Sequence, residues 1–331
     1  MASDLDSATN FGVVVIGRNE GERLKTCLTS VSRYTDKLVY VDSGSTDGSV
    51  QLAMAMGVIV VELDMTFPFT AARARNEGFR ILCGLAPNIE FVQFVDGDCE
   101  VVDGWLDSAV SFLTENKNVV VVCGRRRERF PDKSIYNMLC DIEWDTPVGE
   151  VRACGGDAIM RVDELNQVGG FKENLIAGEE PELCVRLRQQ GWEIWRLGAE
   201  MTLHDAAISK FNQWWKRTIR AGYAFAAGAY LHGNLPEKHW VKETRSALVW
   251  GLFVPLMVIS LLYLFDLWAL FLLMIYPLQV LRLTLNGERK LKTNFLRAFF
   301  IVLGKFPEML GVLKFFFHRI FNTDSTLIEY K

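Results

Sequence analysis

The stretch Phe91-Val92-Gln93-Phe94-Val95-Asp96-Gly97-Asp98 decides how the rest of the chain is read. A mostly apolar run ends abruptly in two carboxylates. Such a run suits a strand buried on both faces of a parallel sheet. Carboxylates two residues apart in extended backbone point the same way. Asp96 and Asp98 can therefore address one hard cation. Mg²⁺ or Mn²⁺ held by one or two carboxylates completes its shell with substrate phosphate oxygens. Gly97 leaves room for a ligand to approach the backbone. An acidic turn closing a strand would look the same, so the surrounding chain has to decide.

Four similar runs occur at 13–16, 38–41, 58–61 and 119–122, and segments 20–34, 47–56, 70–83 and 104–116 have helical length and spacing. That alternation predicts an α/β fold, a Rossmann-like, mostly parallel sheet flanked by helices. Its ligands bind at the carboxyl ends of the strands. Those ends carry Gly17-Arg18-Asn19-Glu20 and Asp42-Ser43-Gly44-Ser45 as well as the Asp96 pair. Asp42 can accept hydrogen bonds from a base or ribose, and Asp47 can cap the next helix. Further on, Glu179, Glu180 and Glu182 open a helix in which Pro181 suits the first turn and Gly191 the stop. Carboxylates there complement the helix dipole; they also offer a general base on a preorganised turn. His204 follows a predicted strand at 192–197.

Composition divides the chain. Of 331 residues 50% are apolar, the formal net charge is −4, and mean hydropathy is +0.13. This excludes a disordered or collagen-like chain. Residues 206–331 hold 16 Lys and Arg against 7 Asp and Glu, which leaves 20 against 33 in residues 1–205. An acidic front and a basic, apolar back suggest a soluble domain followed by a membrane-contacting one. The seven cysteines show no CxxC spacing, which fits reduced core thiols. Residues 1–10 are polar and acidic, without the features of a secretory signal, so the front half is expected in the cytosol. Residues 247–265 form an uncharged apolar stretch of 19, and 267–281 adds 15 more after Asp266. Basic flanks on both sides predict a hairpin with cytosolic ends and Asp266 near the far side. Residues 295–317 read as an interfacial helix. Trp214, Trp215, Lys216, Arg217 and Arg220 suit the headgroup level.

Taken in order, Val-Ile-Gly-Arg-Asn-Glu-Gly-Glu-Arg-Leu (15–24), Val-Asp-Ser-Gly-Ser-Thr-Asp-Gly (41–48), Ala-Arg-Asn-Glu-Gly (74–78), Asp96-Gly97-Asp98, Gly155-Gly156-Asp157 and Glu179-Glu180-Pro181-Glu182-Leu183 follow a known pattern. Residues 11–205 resemble the family 2 glycosyltransferases of GT-A fold, in their membrane-associated bacterial form. The resemblance implies transfer of a sugar, with inversion, from a nucleoside-diphosphate donor. A UDP-sugar is the expected donor and Mn²⁺ or Mg²⁺ the expected cofactor. It implies that Ile16, Arg18, Glu20, Asp42, Arg75, Asp96, Gly97 and Gly156 border the nucleotide sugar. Asp98, with Asp96 and His204, would hold the metal. Glu180 stands where the general base sits, although Glu179 and Glu182 remain open. Gly155, Asp157 and Arg125 would face the acceptor, and Trp215, Arg217 and Arg220 would gate it.

The expected layout is a catalytic domain at 1–205, amphipathic helices at 206–245, a membrane hairpin at 246–284 and a basic interfacial tail at 285–331. The acceptor is expected to be a lipid-linked oligosaccharide or a saccharide at the cytosolic face of the cytoplasmic membrane, and nucleic acid is not an expected partner. Within enzymes, a polyprenyl-phosphate sugar synthase is a rival. A processive synthase is disfavoured, because Gln213-Trp214-Trp215-Lys216-Arg217 lacks the Gln-x-x-Arg-Trp order. A metal-dependent nucleotidyltransferase would need a glycine-rich phosphate loop that is not evident. A non-catalytic sugar-nucleotide scaffold is argued against by intact Asp96, Asp98, Glu180 and His204.

Overall fold

The computed structural model describes residues 10–322. They fall into two compact units. The first runs to Lys133 and resumes over Cys140–Ala207; the second comprises Ser134–Leu139 and the chain from Ile208.

The first unit is built on nine strands: β1 (Phe11–Gly17), β2 (Leu38–Asp42), β3 (Ile59–Glu62), β4 (Phe91–Asp96), β5 (Cys99–Val101), β6 (Val119–Glu128), β7 (Gly149–Glu150), β8 (Ala158–Arg161) and β9 (Glu193–His204). They lie in the order β3-β2-β1-β4-β8-β6-β9-β5, with β7 paired to β9. β1 to β4 pair in parallel, as the continuous valine runs predict. β8 enters antiparallel between β4 and β6, so the sheet is mixed. Four residues are too few to announce such a strand. The run at 58–61 emerges as edge strand β3, with Ile59 42% exposed, not as a strand buried on both faces.

Helices α1 (Glu22–Ser32), α2 (Ser49–Ala55), α3 (Ala71–Leu85) and α4 (Trp105–Glu115) fill the four helical segments. α5 (Ile135–Glu143), α6 (Val162–Gln167) and α7 (Glu179–Gln189) follow. Val13, Val14, Val15, Val39, Val92, Phe94 and Val95 are wholly buried in the sheet centre. Full burial of side chains of that size contributes roughly 1.5–3 kcal/mol each. α3 buries Arg75, Gly78, Phe79 and Leu82, an i, i+3, i+4, i+7 stripe with a cation inside it. In the parallel register Ile16 stands opposite Asp96 and Gly17 opposite Asp42, which lines the polar strand ends along one rim. All seven cysteines are free thiols.

The second unit is helical: α8 (Phe211–His232), α9 (Val241–Leu248), α10 (Val254–Phe265), α11 (Ile275–Leu285) and α12 (Leu291–Phe321). A π-turn at Val249–Phe253 joins α9 to α10, and a 3₁₀ segment at Asp266–Met274 joins α10 to α11. Among the described residues one helix, Val241–Leu264, is long and apolar enough to cross a membrane. The second half of the expected hairpin is a shorter apolar helix, Ala269–Leu285. The side chain of Asp266 lies outside the described residues. α12 packs along α8 at backbone distance, because glycines face each other's chain. A Cβ on Gly311 would stand 2.0 Å from the Ile219 carbonyl oxygen, and one on Gly222 2.0 Å from that of Glu308. Phe295, Phe299, Leu310, Phe317 and Ile320 of α12 remain exposed.

Gly311→Ala tests this contact. Helix propensity alone favours alanine by about 1 kcal/mol, whereas forcing atoms into a packed interface costs about 1–3 kcal/mol. The clash is with backbone, so overpacking wins. The variant melts several degrees lower in detergent; an unchanged or raised melting temperature contradicts the packing.

Candidate active site

The site forms where α3, α7, β4 and the loop before β8 converge. Arg75 sits on the buried stripe of α3 and is 2% exposed. A cation there must be paired. It donates to Asp96 Oδ1 and Glu179 Oε1 at 2.8 Å each and stands 3.0 Å from Glu180 Oε1. Its guanidinium also lies 5.6 Å from the Phe171 ring centroid. α7 starts at Glu179 after Gly178 in the left-handed region (φ 80°), which aims its first two carboxylates at Arg75. Gly156 makes the convergence possible. A Cβ at that position would stand 2.6 Å from Arg75, 2.8 Å from Asp96 and 3.0 Å from Glu180.

The three glutamates thereby separate. Glu182 is wholly buried, is gripped by Arg186 at 2.8 Å and meets Lys172 at 3.6 Å, away from the Arg75 cluster. Glu179 is buried on Arg75. Glu180 keeps partial access, and burial, helped by the Glu179 charge and opposed by Arg75, pushes its carboxyl up to about 7. A carboxylate with that proton affinity is suited to general-base work near neutral pH.

A second guanidinium, missed in the sequence, anchors the other side. Arg126 contacts Asp157 Oδ2 at 2.8 Å and Asp96 Oδ2 at 3.4 Å. Asp157 is wholly buried and also accepts from Thr202 Oγ1 and the Asp96 backbone N–H. Expected on the acceptor side, it is fully enclosed by protein groups and braces the site from within. Arg125 likewise turns away, to Asp141 at 3.0 Å and Asp145 at 3.5 Å. Register shifts in β6 on both sides of Arg125 break the simple alternation of that strand. The triplet Arg125-Arg126-Arg127 was the available signal, since consecutive strand residues face opposite ways.

On the nucleotide side, Ile16 accepts from the Gly97 N–H, Arg18 stacks on Phe69 with 4.5 Å to the ring centroid, and Glu20 pairs with Arg23 at 2.8 Å. Asp42 is buried and accepts from the Tyr40 hydroxyl, the Ser45 hydroxyl and the Ser45 N–H. It holds its own turn. Asp47 accepts from the Ser49 N–H at the start of α2. Gly155 is open, with nothing closer than 4.0 Å to an added Cβ. Trp215, Arg217 and Arg220 belong to α8 in the second unit.

Asp98 and His204 meet because β5 and β9 pair with Cys99 opposite His204. His204 Nε2 lies 3.2 Å from Asp98 Oδ1, and both residues are buried. A hard carboxylate and an imidazole at that spacing fit a divalent cation such as Mn²⁺ or Mg²⁺. Cys99 shares the neighbourhood, but burial pushes its thiol well up and keeps it protonated. Asp96 is occupied by its two guanidiniums, so Asp98 and His204 are the better metal-holding pair. Five carboxylates (Asp96, Asp98, Asp157, Glu179, Glu180) face two guanidiniums here. That excess favours a cation in the site.

Residues 12–157 match the family model Glycosyl transferase family 2. The chain carries a family 2 glycosyltransferase domain. It is 23% identical over 223 residues to the glycosyltransferase AglE of Haloferax volcanii, an alignment covering 63% of this chain and 71% of AglE. It is 24% identical over 211 residues to the succinoglycan biosynthesis protein ExoA of Rhizobium meliloti, covering 59% of this chain and 63% of ExoA, under two thirds of that protein. The fold is similar to the mannosyltransferase PcManGT of Pyrobaculum calidifontis, solved with GDP-Man and Mn²⁺. The TM-score is 0.57 at 17% identity, over 93% of this chain and 87% of that one. This glycosyltransferase thus has a GT-A-like fold.

Two outcomes follow from the geometry. Gly156→Ala places a methyl group among Arg75, Asp96 and Glu180, and turnover falls at least about 100-fold while the melting temperature moves little; wild-type turnover contradicts the convergence. Glu180 has a folded-state proton affinity above its unfolded one. Its ionisation therefore destabilises the fold, and stability falls as pH rises from about 4.5 through about 7. Glu180→Gln melts higher than wild type at pH 8 and equally at pH 4; equal melting at both contradicts the raised proton affinity.

Proposed function

We propose that this glycosyltransferase transfers a sugar, with inversion, from a nucleoside-diphosphate sugar to a hydroxyl of a lipid-linked or saccharide acceptor at the cytosolic membrane face. The observation that carries the reading is the pairing of two functions around Asp96. On one side Arg75 holds Glu180, a carboxylate poised to take a proton near pH 7. On the other, Asp98 and His204 form the cation-holding pair.

Ionised Glu180 accepts the acceptor hydroxyl proton as that oxygen forms its bond to the anomeric carbon. The anomeric carbon–phosphate oxygen bond breaks on the opposite face, and the electron pair leaves with the diphosphate. Arg75 keeps Glu180 oriented, and Asp157 and Arg126 keep Asp96 in place. A divalent cation held by Asp98 and His204 would supply neutralising charge for the leaving diphosphate. Ile16, Arg18 and Glu20 border the nucleotide end of the rim.

The membrane setting is supported by the second unit. Val241–Leu264 is apolar with only 17% of its most apolar window buried, and Tyr263 is 91% exposed. Lys238, Lys242 and Arg245 precede the uncharged run 247–265, and Arg282, Arg289, Lys290 and Lys292 follow the run 267–281. Basic residues on both sides suit anionic cytosolic headgroups. Acceptors carried on a lipid are met at that surface.

A thermal-shift panel of UDP-, GDP- and other nucleotide sugars with Mn²⁺ or Mg²⁺ tests the donor. One donor raises the melting temperature through binding linkage; no response to any donor contradicts the reading. With that donor, Asp98→Ala loses at least about 1,000-fold in turnover. Glu180→Gln loses a similar factor but still binds the donor. Wild-type turnover by Glu180→Gln removes it as the base.

A further inference from the structure

Metal-holding histidines are ordinarily oriented by a hydrogen bond from the ring nitrogen that faces away from the metal. His204 is oriented differently. Its Nε2 stands 3.2 Å from Asp98 Oδ1, while its Nδ1 is buried and meets no hydrogen-bond partner among the described residues. An indole meets the ring instead. Trp144 packs almost perpendicular to it, with centroids 4.7 Å apart and an interplanar angle of 77°.

Trp144 is itself fixed from two directions. Its backbone N–H donates to the Cys140 carbonyl at 3.0 Å, closing the end of α5. The Arg126 guanidinium lies 5.5 Å from its ring centroid, and Arg126 is locked by Asp157 at 2.8 Å. The indole is therefore a rigid, electron-rich surface tied to the same brace that holds Asp96. Edge-to-face packing of this kind has a preferred geometry, so it restricts rotation of the imidazole about its own bonds.

We propose that Trp144 is a positioning residue that fixes His204 for a divalent cation by aromatic packing, in place of a hydrogen-bonded orienter. The inference rests on the reading of Asp98 and His204 as the cation-holding pair. Without the indole the ring gains rotamers, and only a fraction of molecules presents Nε2 beside Asp98. Apparent cation affinity falls by that fraction.

The test is Mn²⁺ binding to the full-length protein in detergent, read as the loss of the free-ion electron paramagnetic resonance signal, without donor or acceptor. Trp144→Phe keeps an aromatic face and binds within about threefold of wild type. Trp144→Leu fills much of the space without that face, and Trp144→Ala leaves it empty; both weaken binding about 10-fold or more, in the range seen for outer-shell partners. His204→Ala is the reference for a lost ligand. Equal binding by the Leu and Phe variants overturns the role of the aromatic face even if the Ala variant misfolds. Wild-type affinity in Trp144→Leu with weak binding in His204→Ala overturns the proposal and leaves the cation-holding pair standing. Equal binding by wild type and His204→Ala removes the pair itself, and the proposal with it.

Discussion

The buried guanidinium of Arg75 is the constraint on which the site depends. It is placed inside the apolar stripe of α3, where an unpaired charge would be prohibitive. Three carboxylates satisfy it: Asp96 from the end of β4, and Glu179 and Glu180 from the start of α7. Their presence overcompensates. With Asp98 and Asp157 nearby, negative charge exceeds what Arg75 and Arg126 balance, and burial amplifies the mismatch. Burial first, and the Glu179 charge after it, push the Glu180 carboxyl up to about 7. The charge excess also suits a cation. The proposed base and the proposed cation site share that buried, acidic setting.

The fold supplies this arrangement by ordinary means. Parallel pairing of β1, β2 and β4 brings polar strand ends to one rim. The pairing of β5 with β9 sets His204 beside Asp98 although 106 positions separate them. Gly156 keeps the space in which Arg75, Asp96 and Glu180 meet. Removing Arg75 would leave three largely buried carboxylates without their cation, a loss of about 3–5 kcal/mol, so that residue specifies the local structure as well as its chemistry.

Much of this was legible in the sequence. Valine runs ending in carboxylates announce parallel strands and their functional rim, because hydrophobic continuity and a polar stop are local signals. The acidic start of α7 announces a base but leaves three candidates, since only tertiary contacts send Glu182 to Arg186 and Glu180 to Arg75. Asp42 and Asp157 read as ligand contacts, and their oxygens are held by protein groups, in a turn and in a buried brace. Their letters are the same in either role; what differs is whether protein groups have already taken the lone pairs. The triplet Arg125-Arg126-Arg127 signalled a guanidinium without saying which one enters the site, and Trp144 left no signal, for a related reason. A register shift in β6 and the end of α5 decide where they point, and neither leaves a periodic trace. In the C-terminal unit, apolar length announces the helix Val241–Leu264, while the close approach of α8 and α12 at Gly222 and Gly311 is a tertiary contact that leaves no periodic trace.

The central claim is that Glu180 is tuned by its charged neighbours. The most direct measurement is the pH dependence of kcat/KM for wild type and Glu179→Gln, with a saturating divalent cation. In wild type the acidic limb is expected near pH 7, where Glu180 loses its proton. Replacing Glu179 by its neutral isostere removes a like charge and leaves Arg75 more available to Glu180. Both effects lower the proton affinity, so the limb moves to lower pH. A limb that stays in place, or moves upward, contradicts the account.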